Sequence, residues 1–454
     1  MRLGLREEDM ATHPNQTDTT VLSAAIATYL EAHFATERFM GVVLVGRKGE
    51  ILFSQGYGMA NLEHSVPNTT QTKFRLGSVT KQFTAAAILQ LQAQGLLDVQ
   101  APIATYLPGY PNGDRLTIHQ LLNHTSGIPS YTSFPDYEAK KRLAMSVAEV
   151  VDWFKDRPLE FEPGNQHRYS NSGYTLLTHI LETVSGQSYA DYLRSHLFEP
   201  LGMTGSGYDS HREVLPHRAS GYDLTDTGHR HAEFIDMSVP TGAGGLYSTV
   251  EDLYKWDQAL YTEAVLSDRT KTEMFAPTVP VVESEEAKVY YGYGWIVSEQ
   301  WGHKHISHGG AIDGFRTILS RYPDDQVTVI VLANLSNAAV AEIAMGLAAI
   351  AFSEPCQLPK VYQEVAIDPA VYPGYVGDYQ LIPEVVLTIT TESRQLFAQL
   401  TGQEKYAIYP TSPTHFFWKI VDAQLTFEVD EQGQAQKVTL HQFGQDSPAP
   451  RIPK

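Results

Sequence analysis

The stretch FRLGSVTKQFTAAAILQLQ, residues 74–92, places Ser78 three positions before Lys81 at the head of a long apolar run. Apolar side chains recur there at intervals of four, which predicts a helix over residues 79–97 with one apolar face. Gly77 permits a tight turn just before it. Because side chains three apart share a helix face, Ser78 and Lys81 can point into one cleft.

This pair suits nucleophilic catalysis. A serine at a helix N-terminus lies beside unpaired N–H groups and the positive end of the helix dipole, which favour an anionic tetrahedral intermediate. The same field, together with burial, disfavours a protonated lysine, so Lys81 can accept a proton. The alternative is that Ser78 is only an N-cap and that Lys81 extends to solvent. Ser-x-x-Lys alone does not decide, because two common residue types at this spacing occur by chance about once or twice in such a chain.

Two further triplets favour a catalytic role for Ser78 and Lys81. RYSNSGYTLL carries Tyr169 and Asn171 just before an apolar helical run. A phenol there can share a proton with the serine, and an amide can hold a substrate carbonyl. His308, Gly309 and Gly310 form the single His-x-Gly or Lys-x-Gly string of the chain, at a strand end where two glycines allow close approach of a ligand to the backbone.

Composition argues against several classes of partner. Among 454 residues, 52 are acidic and 33 are basic, which gives a formal charge of −19. The sequence has no cluster of basic residues of the kind that binds the phosphates of nucleic acid. Cys356 is the single cysteine, which suits a reducing compartment. The polar N-terminal segment lacks an apolar signal core, and no run of about 18 apolar residues occurs. We expect a cytoplasmic protein without nucleic acid or membrane partners; the number of subunits stays open, a homo-oligomer included.

The order of the segments predicts an α+β fold. After a short amphipathic helix near residues 21–36, residues 40–61 read as two apolar strands joined by a Lys-Gly turn. Helical and loop segments alternate to about residue 275, where strands resume in YGYGWIVS, HKHISHGG, FRTILSRYP and QVTVIVLAN. We expect the early hairpin and the late strands to share one antiparallel sheet, flanked by helices that include one near residues 337–352, beside an all-helical region.

The chain divides into two folded parts. Residues 1–20 read as a polar tail and residues 21–355 as the first domain. Four prolines without a clear period fall within 353–374, so we place a linker at 356–374. Short strand-like runs separated by turn residues follow, and they predict a small antiparallel barrel over residues 375–454.

Serine with lysine, then Tyr-x-Asn, then His-x-Gly, in this order, resembles the serine β-lactamase and penicillin-binding-protein superfamily. The likeness is closer to its class C branch, which also holds esterases, D-aminopeptidases and alkaline D-peptidases. The chain is similar to that branch over roughly residues 35–350, in KFRLGSVTKQFTA, LTIHQLLNHTSGIPSY, FEPGNQHRYSNSGYTLL, PLGMTGS, GAGGLYSTVEDLYKW and SHGGAIDGF. The C-terminal strands resemble the lipocalin-like β-domain of many relatives. The resemblance therefore implies a β-lactamase/transpeptidase-like domain followed by a small β-domain.

The resemblance also implies roles for these residues. Ser78 would be the acylated nucleophile, Lys81 its proton acceptor, and Tyr169 a partner base that serves the leaving group and the deacylating water. Backbone N–H groups of Ser78 and Ala311 would form the oxyanion hole. No cofactor or metal is required. How the proton passes between Lys81 and Tyr169 stays open.

One departure bears on the substrate. Asn171 and His308 would orient the substrate, with Gly309 and Gly310 beside it, but penicillin-hydrolysing relatives usually carry lysine where this chain has His308. Histidine is only fractionally charged at neutral pH, so pairing with a β-lactam carboxylate is weakened. The expected substrates are small esters, amides or short peptides, including those with D-residues. A β-lactam-hydrolysing or penicillin-binding enzyme is the alternative.

Other interpretations are weaker. HKHISH, residues 303–308, nearly matches a metal-binding string, but in a strand His303 and His305 share one face while His308 faces the other, and metal ligands must converge on one point. GAGGLYST, residues 242–249, lacks the Gly-Lys ending of a phosphate loop, and we expect it to shape the wall of the site. A rival Tyr-x-Asn at Tyr110 lies in a proline and glycine turn. A receptor that is acylated without turnover, or a binding scaffold, would keep the fold and lose the activity.

Overall fold

The computed structural model describes residues 14–284, 288–442 and 445–453. By its contacts the chain divides into two compact units. The first comprises the chain up to Asp223 together with His231–Gln357, and the second comprises Leu224–Arg230 together with the chain from Leu358 onward.

The first unit holds eleven of the described helices and most of the described strands. The helices are α1 (Pro14–Phe34), α2 (Thr80–Ala93), α3 (Ile118–Leu122), α4 (Tyr137–Lys140), α5 (Val147–Phe154), α6 (Asn171–Ser185), α7 (Tyr189–Leu193), α8 (Thr241–Gly244), α9 (Val250–Ala259), α10 (Asp268–Met274) and α11 (Val340–Phe352). The strands are β1 (Gly41–Arg47), β2 (Glu50–Tyr57), β3 (Met59–Asn61), β4 (Val66–Pro67), β5 (Phe74–Arg75), β6 (Gly207–Tyr208), β7 (Tyr222–Thr225), β8 (Gly228–His231), β9 (Leu246–Ser248), β10 (Val279–Glu283), β11 (Lys288–Tyr291), β12 (Ile296–Gln300), β13 (His303–Ile312), β14 (Phe315–Tyr322) and β15 (Val327–Ala333). The tip of the β7–β8 hairpin belongs to the second unit.

An eight-stranded antiparallel sheet organises the first unit, in the order β10-β11-β12-β13-β14-β15-β1-β2. The early hairpin joins the late strands through β1 and β15, where Val43 lies opposite Val331. Lys48 and Gly49, the turn of that hairpin, both take left-handed φ angles of 51° and 83°, as a two-residue hairpin turn requires. All residues of β15 are buried, since α9 and α11 both pack against it. The predicted sharing of one sheet is confirmed.

Two helices differ from the sequence prediction. Helix α1 begins at Pro14, inside the segment predicted to be a polar tail, and proline is favoured at a first helical position. Residues 1–13 of that predicted tail lie outside the described residues. Helix α2 ends at Ala93 because the chain turns at Gly95, whose φ of 74° is left-handed. It is also buried almost all round instead of on one face.

A buried ion pair links α9 to the sheet. Arg321 Nε donates to Asp257 Oδ1 at 2.8 Å, and the hydroxyl of Thr328 donates to Asp257 Oδ2 at 2.6 Å. The side chains of Arg321 and Asp257 are only 2% and 0% exposed. Charges removed from water to this degree require each other, because either alone would be left uncompensated.

The second unit is a nearly closed antiparallel barrel. After α12 (Tyr372–Tyr375) it contains β16 (Gly377–Ile382), β17 (Val385–Glu392), β18 (Gln395–Leu400), β19 (Tyr406–Pro410), β20 (His415–Phe417), β21 (Ala423–Val429), β22 (Ala435–Gln442) and β23 (Gln445–Pro450). A bridge between Tyr379 and Arg451 brings the two ends of the sheet together. Leu224 packs against the apolar core of this unit, and the amide of Ala407 donates to Asp226 Oδ2 at 2.9 Å. These contacts explain why Leu224–Arg230, which the sequence division leaves in the first domain, belongs to the second unit.

Candidate active site

Ser78 lies in a short 3₁₀ helix of one turn, Gly77–Val79, which leads into α2. It borders a cleft of about 360 Å³. Gly77 has a left-handed φ of 53°, and a Cβ atom at this position would lie 2.8 Å from the backbone nitrogen of Ala311. Glycine is therefore what allows the backbone next to the serine to approach Ala311 of β13.

Lys81 is fully buried, with 0% of its surface exposed. Its Nζ lies 3.0 Å from Ser78 Oγ, 2.8 Å from Asn171 Oδ1 and 2.7 Å from the carbonyl oxygen of Ala243. Burial lowers the pKa of this amine well below its usual value, and in the described part of the chain no carboxylate opposes that shift. A neutral amine donates two hydrogen bonds, to Asn171 and Ala243, and keeps its lone pair for the hydroxyl of Ser78. This arrangement is suited to accepting a proton.

Tyr169 lies just before α6, and its hydroxyl shares a hydrogen bond with Ser78. Its ring centroid is 4.2 Å from that of His124, and Lys81 Nζ lies 4.8 Å from it. Burial of the phenol raises its pKa above the usual value, and the bond to Ser78 offsets part of the rise. Because 37% of the residue surface is exposed, the tyrosine also borders solvent. The phenol is therefore protonated at neutral pH and lies next to Ser78.

Asn171 begins α6 and is held by the loop that contains Ser130 and Thr132. Its backbone N–H donates to Ser130 Oγ at 3.1 Å, and its Nδ2 donates to Thr132 Oγ1 at 3.2 Å. Sequence reasoning assigned the amide to a substrate carbonyl, yet its oxygen already accepts from Lys81. One Nδ2 hydrogen remains for a ligand. The residue therefore positions Lys81 as well as bordering the cleft.

His308 is a buried, neutral imidazole on β13. Nδ1 lies 2.6 Å from the carbonyl oxygen of Gly309, and Nε2 lies 2.8 Å from the hydroxyl of Tyr291. A neutral ring fits both contacts by donating from Nδ1 and accepting at Nε2. With 4% exposure, burial lowers the pKa of His308 to about 3, so the ring is uncharged at neutral pH rather than fractionally charged. No fixed cation exists at this position.

The two glycines after His308 have different surroundings. A Cβ atom on Gly310 would lie 1.9 Å from the carbonyl oxygen of Leu76, an oxygen that also accepts a hydrogen bond from Thr317 at 2.6 Å. On Gly309 the nearest atom would be 3.6 Å away, an ordinary contact. Only Gly310 is therefore required by packing, and it brings β13 against the segment that carries Ser78.

The predicted residues come together, although not all of them line the cleft. Ser78, Asn171 and Ala311 border it, while the described lining does not include Lys81, Tyr169, His308, Gly309 or Gly310, which lie behind or beside it. Ala243 and Gly244 also border it, so the prediction that GAGGLYST forms part of the wall is confirmed.

Sequence reasoning missed most of the remaining lining. The missed residues are Thr132, Tyr137, Glu138, Lys141, Ile235, Pro240, Ile312, Asp313, Arg316 and Ser336. The signal that was available is adjacency, since Asp313 and Arg316 lie three and six residues after Gly310 in the chain. For most of the others no motif marks a role.

The histidines of HKHISH have separate partners. His303 Nδ1 lies 2.7 Å from Asp325, His305 stacks on Tyr322, and His308 points to the site described above. Among the described residues no group of three or more His, Cys, Asp or Glu side chains is arranged to hold a metal ion. Of the helices within the described ranges, none is long and apolar enough to cross a membrane.

Comparison with known proteins agrees with this geometry. A family model described as Beta-lactamase matches residues 26–351, and one described as a domain of unknown function (DUF3471) matches residues 363–449. The chain is 32% identical over 453 residues to penicillin-binding protein 4* of Bacillus subtilis, an alignment that covers 94% of this chain and 98% of that protein.

Solved structures show the same likeness. The octameric penicillin-binding protein homologue from Pyrococcus abyssi superposes with a TM-score of 0.66 at 25% identity, covering 94% of this chain and 99% of that one. The D-amino acid amidase from Ochrobactrum anthropi, solved with D-phenylalanine, superposes with a TM-score of 0.62 at 27% identity, covering 69% and 92% of the two chains.

Proposed function

The chain belongs to the serine hydrolases of the β-lactamase and penicillin-binding-protein superfamily, and on this premise we propose that Ser78 is acylated by small esters or amides. The observation that carries the proposal is the buried amine of Lys81, 3.0 Å from Ser78 Oγ and without a carboxylate partner in the described chain. An N-cap serine beside a solvent-directed lysine does not account for that burial.

The proposed reaction has two halves. In acylation, Ser78 Oγ forms a bond to the substrate carbonyl carbon while its proton passes to Lys81 Nζ. The N–H groups of Ser78 and Ala311 stabilise the oxyanion. The intermediate then collapses, the bond to the leaving group breaks, and that group takes a proton through Tyr169. In deacylation, water attacks the acyl carbon, gives up a proton to the same groups, and releases the acid as the Ser78 hydroxyl is restored.

The structure bears on the substrate through His308. A neutral ring at this position provides no charge for the carboxylate of a β-lactam, which disfavours efficient β-lactam hydrolysis. The amidase from Ochrobactrum anthropi is named for D-amino acids. We therefore propose esters and amides, including those of D-amino acids, ahead of β-lactams.

The experiment compares wild type with Ser78→Ala on a short-chain p-nitrophenyl ester, a D-alanyl p-nitroanilide and a chromogenic cephalosporin, with a chelator present throughout. We expect turnover that depends on Ser78 and resists the chelator, and the fastest substrate identifies the class. Turnover that survives Ser78→Ala contradicts the proposal. A single burst of product equal to the enzyme concentration would instead support the non-turnover receptor.

Assembly is proposed on one finding. The similar Pyrococcus abyssi protein is described as octameric, and we propose that this chain also forms a homo-oligomer. Light scattering after size-exclusion chromatography gives the mass directly, and a mass of 50.5 kDa contradicts the proposal.

A further inference from the structure

A buried histidine packs against the tyrosine of the proposed site. His124 lies in the loop that follows α3, and 1% of its surface is exposed. Its ring centroid lies 4.2 Å from that of Tyr169 and 4.7 Å from that of Tyr291. His124 is not among the residues that border the cleft. Any effect of this histidine on the reaction therefore passes through the residues that it contacts.

Two hydrogen bonds to His124 fix the chain on either side of Tyr169. The backbone N–H of Arg168 donates to the carbonyl oxygen of His124 at 2.9 Å. The backbone N–H of Ser170 donates to Nδ1 of the imidazole at 3.2 Å. The residues directly before and after the tyrosine are thus held by one histidine, whose ring also packs on the phenol. Rotation of the backbone at Tyr169 would break at least one of these contacts.

The conformation of His124 argues that packing is not its whole role. Its φ of 62° lies in the left-handed region, which glycine and asparagine adopt most readily. Burial lowers the pKa of the imidazole well below its usual value, so the ring is neutral. Because Nδ1 accepts from Ser170, the proton lies on Nε2, which is buried and has no hydrogen-bond partner within the described chain. Strained backbone and unpaired buried polar atoms concentrate at functional sites.

We infer that His124 is a positioning residue for Tyr169, which holds the phenol hydroxyl next to Ser78, where it serves the leaving group and the deacylating water. The hydrogen bond from Ser170 to Nδ1 is the contact that a side chain without an acceptor cannot replace. A misplacement of about 1 Å in a reacting group can cost about 100-fold in rate, so loss of this contact should be visible in kcat. The inference rests on the proposed function for the role of Tyr169.

The test uses substitutions that separate the imidazole ring from its hydrogen bond. His124→Leu keeps an apolar side chain and loses the acceptor. His124→Asn loses the ring, but it suits the left-handed φ and keeps an acceptor oxygen in place of Nδ1. The matched controls are His217→Leu and His217→Asn. His217 also has a left-handed φ, of 63°, but it is exposed and is not among the residues that border the cleft.

The variants are made in the wild-type and Tyr169→Phe backgrounds, and kcat and KM are measured on p-nitrophenyl butyrate. We expect His124→Leu to lower kcat about 10–100-fold with little change in KM, and His124→Asn to recover most of that loss. In the Tyr169→Phe background, His124→Leu should change kcat by less than about twofold, because the hydroxyl that it positions is already gone. The His217 variants should match wild type.

Two kinetic results overturn the role of His124. One is a loss of kcat in His124→Leu that is just as large in the Tyr169→Phe background, because it would then act elsewhere. The other is equal activity of His124→Leu and His124→Asn, because the acceptor would then be irrelevant. If His124→Leu does not fold, His124→Gly takes its place in both comparisons, since glycine relieves the backbone and also lacks the acceptor.

A readout without turnover separates this inference from the proposed function. Tyr169 is replaced by meta-fluorotyrosine, and the number and width of its lines in fluorine NMR are recorded. His124→Leu should split or broaden the signal, while His124→Asn, which also removes the ring, should keep the line shape of wild type. This pattern without Ser78-dependent hydrolysis would count against the proposed function and not against the positioning of Tyr169. Line shapes that match in all three proteins would overturn the role of His124.

Discussion

The neutral state of Lys81 has a consequence for stability that can be measured. The folded chain holds this amine uncharged at pH values below its usual pKa of 10.5, whereas the unfolded chain keeps the proton. Unfolding therefore takes up one proton at every pH between the lowered pKa and 10.5. In that window the free energy of unfolding rises with pH by about 1.4 kcal/mol per pH unit from this group. Below the lowered pKa both states are protonated, and the slope from Lys81 disappears.

Lys81→Met removes the titrating group and is one atom shorter along the side chain. The acceptors on Asn171 and Ala243 lose their donor, at a cost of about 1–3 kcal/mol each, which shifts the curve without changing its slope. The difference in unfolding free energy between wild type and variant should therefore increase by about 1.4 kcal/mol per pH unit between the lowered pKa of Lys81 and its usual value of 10.5. Urea titration followed by tryptophan fluorescence reports mainly the first unit, which holds four of the five tryptophans.

The matched control is Lys48→Met, at the exposed turn of the β1–β2 hairpin, whose curve should run parallel to that of wild type. If the curve of Lys81→Met also runs parallel to wild type, Lys81 stays charged in the folded chain. A lysine that stays charged cannot accept the proton of Ser78.

Three further outcomes are expected. Tyr169→Phe should lower kcat on a p-nitrophenyl ester by about 100-fold or more with an unchanged melting temperature, and a loss below about tenfold would remove Tyr169 from proton transfer. Gly310→Ala should lower the free energy of unfolding by about 1–3 kcal/mol, because the new methyl group meets the backbone of Leu76. Gly309→Ala should lower it by less than half as much. Equal losses in urea titration would contradict the close packing of Gly310 on Leu76. Asp257→Asn leaves Arg321 buried without its counter-charge and should cost about 3–5 kcal/mol in the same titration, and a cost below about 1 kcal/mol would show that the pair is hydrated.

Local patterns were sufficient for much of the fold. The hairpin followed from alternation around a Lys-Gly turn, and α2 followed from apolar spacing after Gly77. The meeting of Ser78 with Tyr169, 91 residues apart, followed from motif order and family resemblance, not from spacing alone. Geometry then added the contact of Lys81 Nζ with the carbonyl oxygen of Ala243; the sequence placed the segment of Ala243 in the wall of the site but gave it no role toward Lys81.

Features that depend on tertiary contacts could not be predicted from the sequence. Strand β23, QDSPAP, contains two prolines, which argue against a strand unless one knows that it lies at the open end of a barrel. The pKa of His308 depends on burial that the sequence does not reveal. Likewise no sequence pattern marks Arg316 as a residue of the cleft. Its place there depends on the register of β13 and β14, which sets it opposite Ala311.

The pairing of β1 with β15 also determines how late in synthesis the large sheet can form. Val43 and Val331 are 288 residues apart, so the sheet closes only after a very long loop has been brought together. At ribosomal rates of about 5–20 residues per second, the early hairpin waits roughly 15–60 s for its partner to be synthesised. During that interval one edge of β1 is without its partner strand, and such edges invite association with other chains. The nascent chain thus passes through a period in which association with other chains competes with completion of its own sheet.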